Sequence, residues 1–361
     1  MKRPLRPGPL FRAALSPLAA LYGSAVDARA RMYRSGRLRS ERVPCPVVSV
    51  GNLTFGGTGK TPFVEFLARR LRFEGRRPAI LSRGYGRSSR GPVVVSAGNG
   101  PLVDADRGGD EPVAMARRLP AVPVVVAERR VEAARTAIGL GADLLLLDDG
   151  YQHLALARDV DILLLDSTDP FGGGRLPPAG TLREPLSALA RADAFVFTRV
   201  DRGAPSPAAR EELRRWNPDA PVFTARVRAT GLIDESGSPV TSSALTGRRF
   251  VAVCGIAHPD TFAGSLRELD LAPDEVLAFP DHNRYGRRDL ERIRRTADRT
   301  GSAWILTTEK DAVKLEGRTS LPVVSVKLEV EVAETGFFPF LLSRLGSREP
   351  DVPRRAASPR P

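Results

Sequence analysis

The run Gly56-Gly57-Thr58-Gly59-Lys60-Thr61 holds the residue types that wrap a phosphate chain. Glycines let successive backbone N–H groups turn inward without Cβ clashes, and a helix opening behind them adds the partial positive charge of its N-terminus. In that pattern the lysine reaches the β- and γ-phosphates of a nucleoside triphosphate, and the Thr hydroxyl binds Mg²⁺. The form G-x-x-x-x-G-K-[ST] would put its first glycine at position 54, where this chain has Thr54. Thr54, Phe55, Gly56, Gly57, Thr58, Gly59, Lys60 and Thr61 are the expected ATP-binding set. A second acidic feature accompanies them. Leu144 to Leu147 is an apolar run that ends in Asp148-Asp149, and a carboxylate at such a strand end can hold Mg²⁺ directly or through water. Alone, Asp149-Gly150 reads as an ordinary turn; beside Lys60-Thr61 the metal role is favoured. Thr61 and Asp149 are the first expected Mg²⁺ positions, with Asp148 behind them.

These residues need elements to hold them. Val47 to Val50 is a short β-rich run before the glycine turn, and a helix is expected from about Thr61 to Phe73. Ala79-Ile80-Leu81, Val122 to Ala127, Leu144 to Leu147 and Asp161 to Leu165 read as strands buried on both faces. Strand and helix signals alternate, which argues for an α/β chain with a mostly parallel sheet of the P-loop NTPase kind. Pro170 to Gly180 is rich in Gly and Pro and reads as a connection or hinge. A second set of strands follows at Ala194–Phe197, Val222–Val227, Phe250–Cys254 and Trp304–Leu306, with a charged helix over about Arg288–Arg299. The expected division is a basic segment over 1–40, a nucleotide-binding domain over 41–175, a smaller α/β domain with its hinge over 176–345, and a disordered tail over 346–361.

Charge is placed unevenly. Met1 to Arg42 holds ten basic residues against Asp27 and Glu41, so this segment carries +8 of the net +13. The same segment includes the apolar stretch Ala13 to Val26, about 21 Å long as a helix and short of the roughly 30 Å of a bilayer core. Pro17 and Gly23 weaken it as a helix. Its basic flanks favour a helix lying in an anionic membrane interface over a signal peptide or a core helix. Aromatics make up only 6% of the chain, and the basic excess sits beside apolar residues. That fits a membrane surface better than a base-stacking one, so no nucleic-acid partner is expected. Cys45 and Cys254 stand far apart and form neither a disulfide framework nor a spaced metal site.

The joint pattern resembles the tetraacyldisaccharide 4′-kinase family of lipid A biosynthesis. The resemblance rests on Val50-Gly51-Asn52-Leu53 with Gly56 to Pro62, Ser82-Arg83-Gly84-Tyr85-Gly86, Gly109-Asp110-Glu111-Pro112 and Asp148 to His153. It continues through Pro178-Ala179-Gly180, Leu182-Arg183-Glu184-Pro185, Cys254 to Ala257, Phe279-Pro280-Asp281-His282 and Thr307 to Asp311. It covers roughly residues 10–330, and family members usually carry Thr or Ser at the position of Thr54. The resemblance implies ATP-dependent phosphorylation of the 4′-hydroxyl of an acylated disaccharide 1-phosphate. It implies two α/β domains facing each other across the site, and an N-terminal helix on the cytoplasmic face of the inner membrane, peripheral or monotopic. It makes Asp110 the catalytic carboxylate, His282 its partner and Lys60 the phosphate-binding cation. Glu111, Arg183, Glu184 and Gln152 are expected to bind or support the substrate. The rival readings are a kinase for another lipid or sugar hydroxyl and a P-loop GTPase or ATPase switch, for which Thr198-Arg199-Val200-Asp201 offers a loose guanine-reading loop with Arg in the usual Lys position.

Overall fold

The computed structural model describes residues 9–245, 247–256, 259–281 and 283–346, with side chains from residue 15 onward. His282, expected as the partner of Asp110, lies outside that set, as do His258, the first eight residues and residues 347–361 of the expected tail.

In chain order the first elements are α1 (Pro9–Arg34), β1 (Val47–Asn52), α2 (Lys60–Phe73), β2 (Pro78–Ser82), β3 (Val93–Ala97), α3 (Ala105–Gly108), α4 (Asp110–Arg118), β4 (Pro123–Val126), α5 (Arg130–Gly139), β5 (Leu144–Asp148) and β6 (Val160–Asp166). There follow β7 (Ala194–Thr198), α6 (Pro207–Trp216), β8 (Val222–Asp234), β9 (Pro239–Val240), β10 (Phe250–Cys254), α7 (Pro259–Glu268), β11 (Glu275–Ala278), α8 (Arg287–Thr300), β12 (Trp304–Thr308), α9 (Glu309–Leu315), β13 (Val323–Val332) and α10 (Phe337–Gly346).

Among the described residues thirteen strands join into one sheet, in the order β11-β10-β12-β13-β8-β7-β6-β1-β5-β2-β4-β3, with β9 beside β8. From β7 to β4 the pairs are parallel, and β3 closes that edge antiparallel to β4. The α/β class with a mostly parallel sheet therefore holds. Strands β1, β5, β7 and β10 are buried along their whole length. That is why they read as unbroken apolar runs with no polar alternation. β8 differs. Its first residues pair in parallel with β7, and the rest pairs antiparallel with β13. Its burial alternates along much of its length, as expected where one face meets water.

Helices cover the sheet with apolar stripes. α2 buries Phe63, Val64, Leu67, Ala68 and Leu71, each worth about 1.5–3 kcal/mol for the larger side chains. α10 returns to the same core late in the chain: the Phe337 ring meets Phe63 and Phe223 edge-on, with centroids 5.7 and 5.1 Å apart.

α1 runs straight through Pro17 and Gly23, where the sequence suggested weakness. Pro17 is exposed, so the carbonyl left without a helical donor can meet solvent. Gly23 serves close packing: a Cβ there would stand 2.6 Å from Leu176 Cδ1.

Candidate active site

The register of the central strands assembles the site. β1 lies between β5 and β6, and Val50 pairs with Asp148. The glycine turn leaving β1 and the carboxylates leaving β5 therefore emerge side by side at the C-terminal edge of the sheet, where parallel α/β sheets place their ligands. Gly59 sits in the left-handed region at φ 80°, which turns the chain so that Lys60 opens α2.

The loop between them is sewn down from several directions. The Phe55 N–H donates to the Thr181 carbonyl at 2.8 Å, and the Arg183 N–H donates to the Leu53 carbonyl at 2.7 Å. The Gln152 side-chain amide donates to the Asn52 carbonyl at 3.0 Å. The Arg199 guanidinium donates to the Gly57 carbonyl and pairs with Asp166 at 2.5 Å. Thr54 and Thr58 are buried, and the Thr58 hydroxyl has no hydrogen-bond partner among the described residues. Phe55 stays half exposed beneath the Arg183 guanidinium, 5.2 Å from its ring centre.

Asp148 and Asp149 are neighbours with opposite surroundings. Asp148 is buried; Oδ2 accepts from the Ser82 hydroxyl at 3.3 Å, while Oδ1 has no hydrogen-bond partner among the described residues. Burial, then the charges of Glu111 and Asp149, hold its carboxyl well above the usual range. Asp149 takes a left-handed φ of 53° and so swings away from the strand. Its two oxygens accept from Arg183 Nη1 at 2.8 Å each, and Oδ1 lies 3.6 Å from Lys60 Nζ. Burial pushes this carboxyl up, but Lys60 and Arg183 outweigh it and hold it below its ordinary value.

Across from them, Gly109 precedes α4 at φ 90°, and a Cβ there would stand 3.1 Å from Gly84 Cα. Asp110 and Glu111 follow in the first turn of α4, and of the two it is Glu111 that meets the exit of the phosphate loop. Thr61 Oγ1 donates to Glu111 Oε2 at 3.4 Å. Asp110 Oδ2 lies 2.9 Å from Lys314 Nζ of α9, and Glu111 Oε1 lies 3.6 Å from Lys310 Nζ.

The structure thus brings together Lys60, Thr61, Asp148, Asp149, Glu111, Arg183 and Gln152, with Asp110 adjacent. Glu184 is placed differently from its neighbour. It is buried and accepts from Arg191 at 2.6 and 2.7 Å, and that guanidinium lies 4.0 Å over the Tyr151 ring. Sequence reasoning gave no site role to Ser82, Lys310, Lys314 or a set of arginines around His153, and took Arg199 only as part of a loose guanine-reading loop. Burial and then Arg130, Arg158, Arg29 and Arg83 bring that imidazole down to about 4. Ser82 and Arg83 stood within a motif already noticed, but nothing in their spacing signalled a role. α1 also touches the site: the Tyr22 hydroxyl donates to the Arg183 carbonyl at 3.0 Å, and Arg29 Nη1 donates to the Gln152 carbonyl at 3.2 Å.

Among the described residues no group of three His, Cys, Asp or Glu side chains forms a metal cluster. Mg²⁺ does not need one, since it takes one or two carboxylates and completes its shell with water and phosphate oxygens. The orphaned buried Oδ1 of Asp148 and the Thr61 hydroxyl at the loop exit fit such an ion. Nor is any helix among the described residues long and apolar enough to cross a membrane.

Known proteins resemble the chain in sequence and in fold. The family model for tetraacyldisaccharide-1-P 4′-kinase matches residues 11–346. A tetraacyldisaccharide 4′-kinase of Anaeromyxobacter sp. (strain K) is 48% identical over 326 residues, covering 86% of this chain and 84% of its own. One of Geobacter sulfurreducens is 42% identical over 325 residues, covering 89% and 90%. The crystal structure of LpxK from Aquifex aeolicus in complex with ATP superposes with a TM-score of 0.79 at 35% identity, covering 93% of this chain and 99% of that one. By its sequence over nearly its whole length, and by its fold, the chain belongs to the tetraacyldisaccharide-1-P 4′-kinase family.

Proposed function

We propose that this protein transfers the γ-phosphoryl group of ATP to the 4′-hydroxyl of a tetraacyldisaccharide 1-phosphate, a step of lipid A biosynthesis. The observation that carries the reading is the 3.6 Å approach of Lys60 to Asp149 across the mouth of the glycine turn. A loop that wraps a phosphate chain and an acidic strand end that can share a cation face one another within one side chain's reach.

In this reading the loop amides and Lys60 bind the triphosphate and stabilise the charge that spreads over the transferring group. Asp110 accepts the proton of the sugar hydroxyl as its oxygen attacks phosphorus and the bond to the departing ADP oxygen breaks. His282 is the partner that the family pattern gives to Asp110. Thr61, Asp148 and Asp149 would hold Mg²⁺, which when bound draws charge from the phosphate oxygens. Asp148 offers the uncommitted oxygen, and Asp149 comes to the ion only by giving up Arg183 or Lys60. Glu111 supports Thr61. Arg83, Arg130 and Arg29, grouped near Gln152 and His153, give the acceptor's own phosphate a cationic neighbourhood. Arg130 is buried, and its Nε has no hydrogen-bond partner among the described residues.

α1 is the membrane-facing element of the proposal, on the cytoplasmic side of the inner membrane. Ala19 and Gly23 pack inward while Leu18 and Leu21 are 56% and 69% exposed. A cleft of about 350 Å³ opens between α1 and the 184–191 segment, with Val26, Ala30, Leu154 and Ala188 on its walls. Keeping acyl chains near the bilayer matters because each exposed CH₂ costs about 0.8 kcal/mol. The test is transfer of label from γ-labelled ATP to a panel of acylated disaccharide phosphates in mixed micelles. Label on the 4′-oxygen supports the proposal, and ATP turnover with no acceptor labelled would overturn it.

A further inference from the structure

Helix α9 contributes two lysines one turn apart, and each meets one of the two consecutive carboxylates that open α4. Lys310 faces Glu111 at 3.6 Å, and Lys314 faces Asp110 at 2.9 Å. We propose that Lys314 is a positioning residue for the proton acceptor: it aims the Asp110 carboxylate and keeps it ionised from the opposite half of the sheet. The inference rests on the reading of Asp110 as that acceptor.

The surroundings of Lys314 fix its ammonium. The side chain is 5% exposed, and the nitrogen also donates to the Asn283 carbonyl at 2.9 Å and lies 3.7 Å from Asp311 Oδ1. An ammonium has three N–H donors, and these three contacts lie in different parts of the chain. Asp311 is itself immobilised, accepting from the Gly255 N–H at 2.7 Å and from the Thr308 hydroxyl at 2.8 Å. Lys314 therefore reaches Asp110 from a rigid base. Such a contact differs from a surface ion pair, whose long side chains sample many geometries.

The charges around Asp110 show why one cation matters. Its own helix brings Glu111. α9 brings Asp311 along with Lys310 and Lys314, and the segment after β11 brings Asp281, which accepts from Lys310 at 3.0 Å. The turn after β2, whose Gly84 abuts Gly109, brings Arg83 and Arg87, and Arg87 is already paired with Glu128 at 2.7 Å. Removing Lys314 takes away the ammonium 2.9 Å from Asp110 and leaves the charges of Glu111 and Asp311 beside it. Like charges and burial then favour the protonated carboxyl, which cannot accept a proton.

The experiment is the pH profile of kcat for the full chain, with ATP and acceptor saturating. In Lys314→Met the acid limb should move up by about 1–2 pH units, so that kcat at pH values on that limb falls by roughly tenfold to a hundredfold and recovers as the pH is raised, with KM for ATP unchanged. Lys314→Arg should return the limb toward wild type. Should Lys314→Met fail to fold, Lys314→Gln, which keeps a donor for Asn283 without charge, carries the same expectation. A loss of kcat equal at every pH, or no shift of the limb in a folded variant, would overturn the inference while leaving Asp110 in place. Wild-type turnover by Asp110→Asn would instead remove the reading beneath it.

Discussion

The phosphate-loop side of the site and the α9 side are made of different material. On the first, backbone does most of the positioning: a glycine turn at φ 80°, a strand register that pairs Val50 with Asp148, and the carbonyls of Thr181, Leu53 and Asn52, which accept from the Phe55 N–H, the Arg183 N–H and the Gln152 amide. On the second, side chains reach across: Lys310 and Lys314 extend from a short helix to carboxylates far away in sequence. A backbone cradle is written in consecutive residues. A side-chain bridge exists only once the whole sheet has formed, because its two ends share no local pattern.

That contrast predicts unequal responses to substitution. Lys60→Ala removes the one side chain on which the backbone cradle depends for charge, and turnover should fall by about 10⁴-fold with the melting temperature unchanged. A loss under tenfold would show that the loop amides suffice and would break the contrast. Asp110→Asn, on the bridged side, should lower kcat by about 10³-fold while ATP binding, followed by calorimetry, stays within a factor of two or so of wild type. A weakened ATP affinity with normal kcat would move Asp110 to the nucleotide side.

The next test concerns α1. Leu18→Glu combined with Leu21→Glu should reduce sedimentation with anionic vesicles by about tenfold or more without changing ATP turnover on a detergent-dispersed acceptor. Unchanged sedimentation would make α1 a packing element only. The smallest effect is a pH dependence at His153. Its folded value of about 4 lies below the ordinary 6.5, so the fold favours the neutral ring. The stability this supplies is present above pH 6.5 and is lost as pH falls toward 4. Wild type should therefore lose more of its melting temperature over that interval than His153→Gln does, and parallel curves would refute the assignment.

The limits of the sequence follow the same division. Strands such as Leu144–Leu147 were legible because burial on both faces demands unbroken apolar residues. The phosphate loop was legible because only glycines tolerate its turns. The Asp148-Asp149 pair was visible too, but the left-handed φ of Asp149 that sends the two side chains to opposite environments was not. Sequence reasoning ranked Asp149 ahead of Asp148 for Mg²⁺, whereas the uncommitted oxygen belongs to Asp148. The reach of α1 was underread because helix propensity counts Pro17 and Gly23 as faults and knows nothing of Leu176 pressing against Gly23. The two partners of β8, β7 at its start and β13 beyond, could not be seen either, since one β-rich run gives no sign of where its neighbour changes. Lys314 was simply one of several lysines near the end of the chain.

Arg183 joins three things that are usually separate. Its N–H closes on the phosphate loop, its guanidinium on Asp149, and its carbonyl on Tyr22 of α1. If α1 rests on a bilayer, the altitude of the reacting phosphorus above the lipid headgroups is set by a few short, stiff links and not by a flexible tether. An acceptor whose sugar stands too low or too high in the leaflet would then miss the phosphate by a fixed distance. Selection among glycolipids would in that case operate as a gauge of height, before any contact with the sugar itself is made.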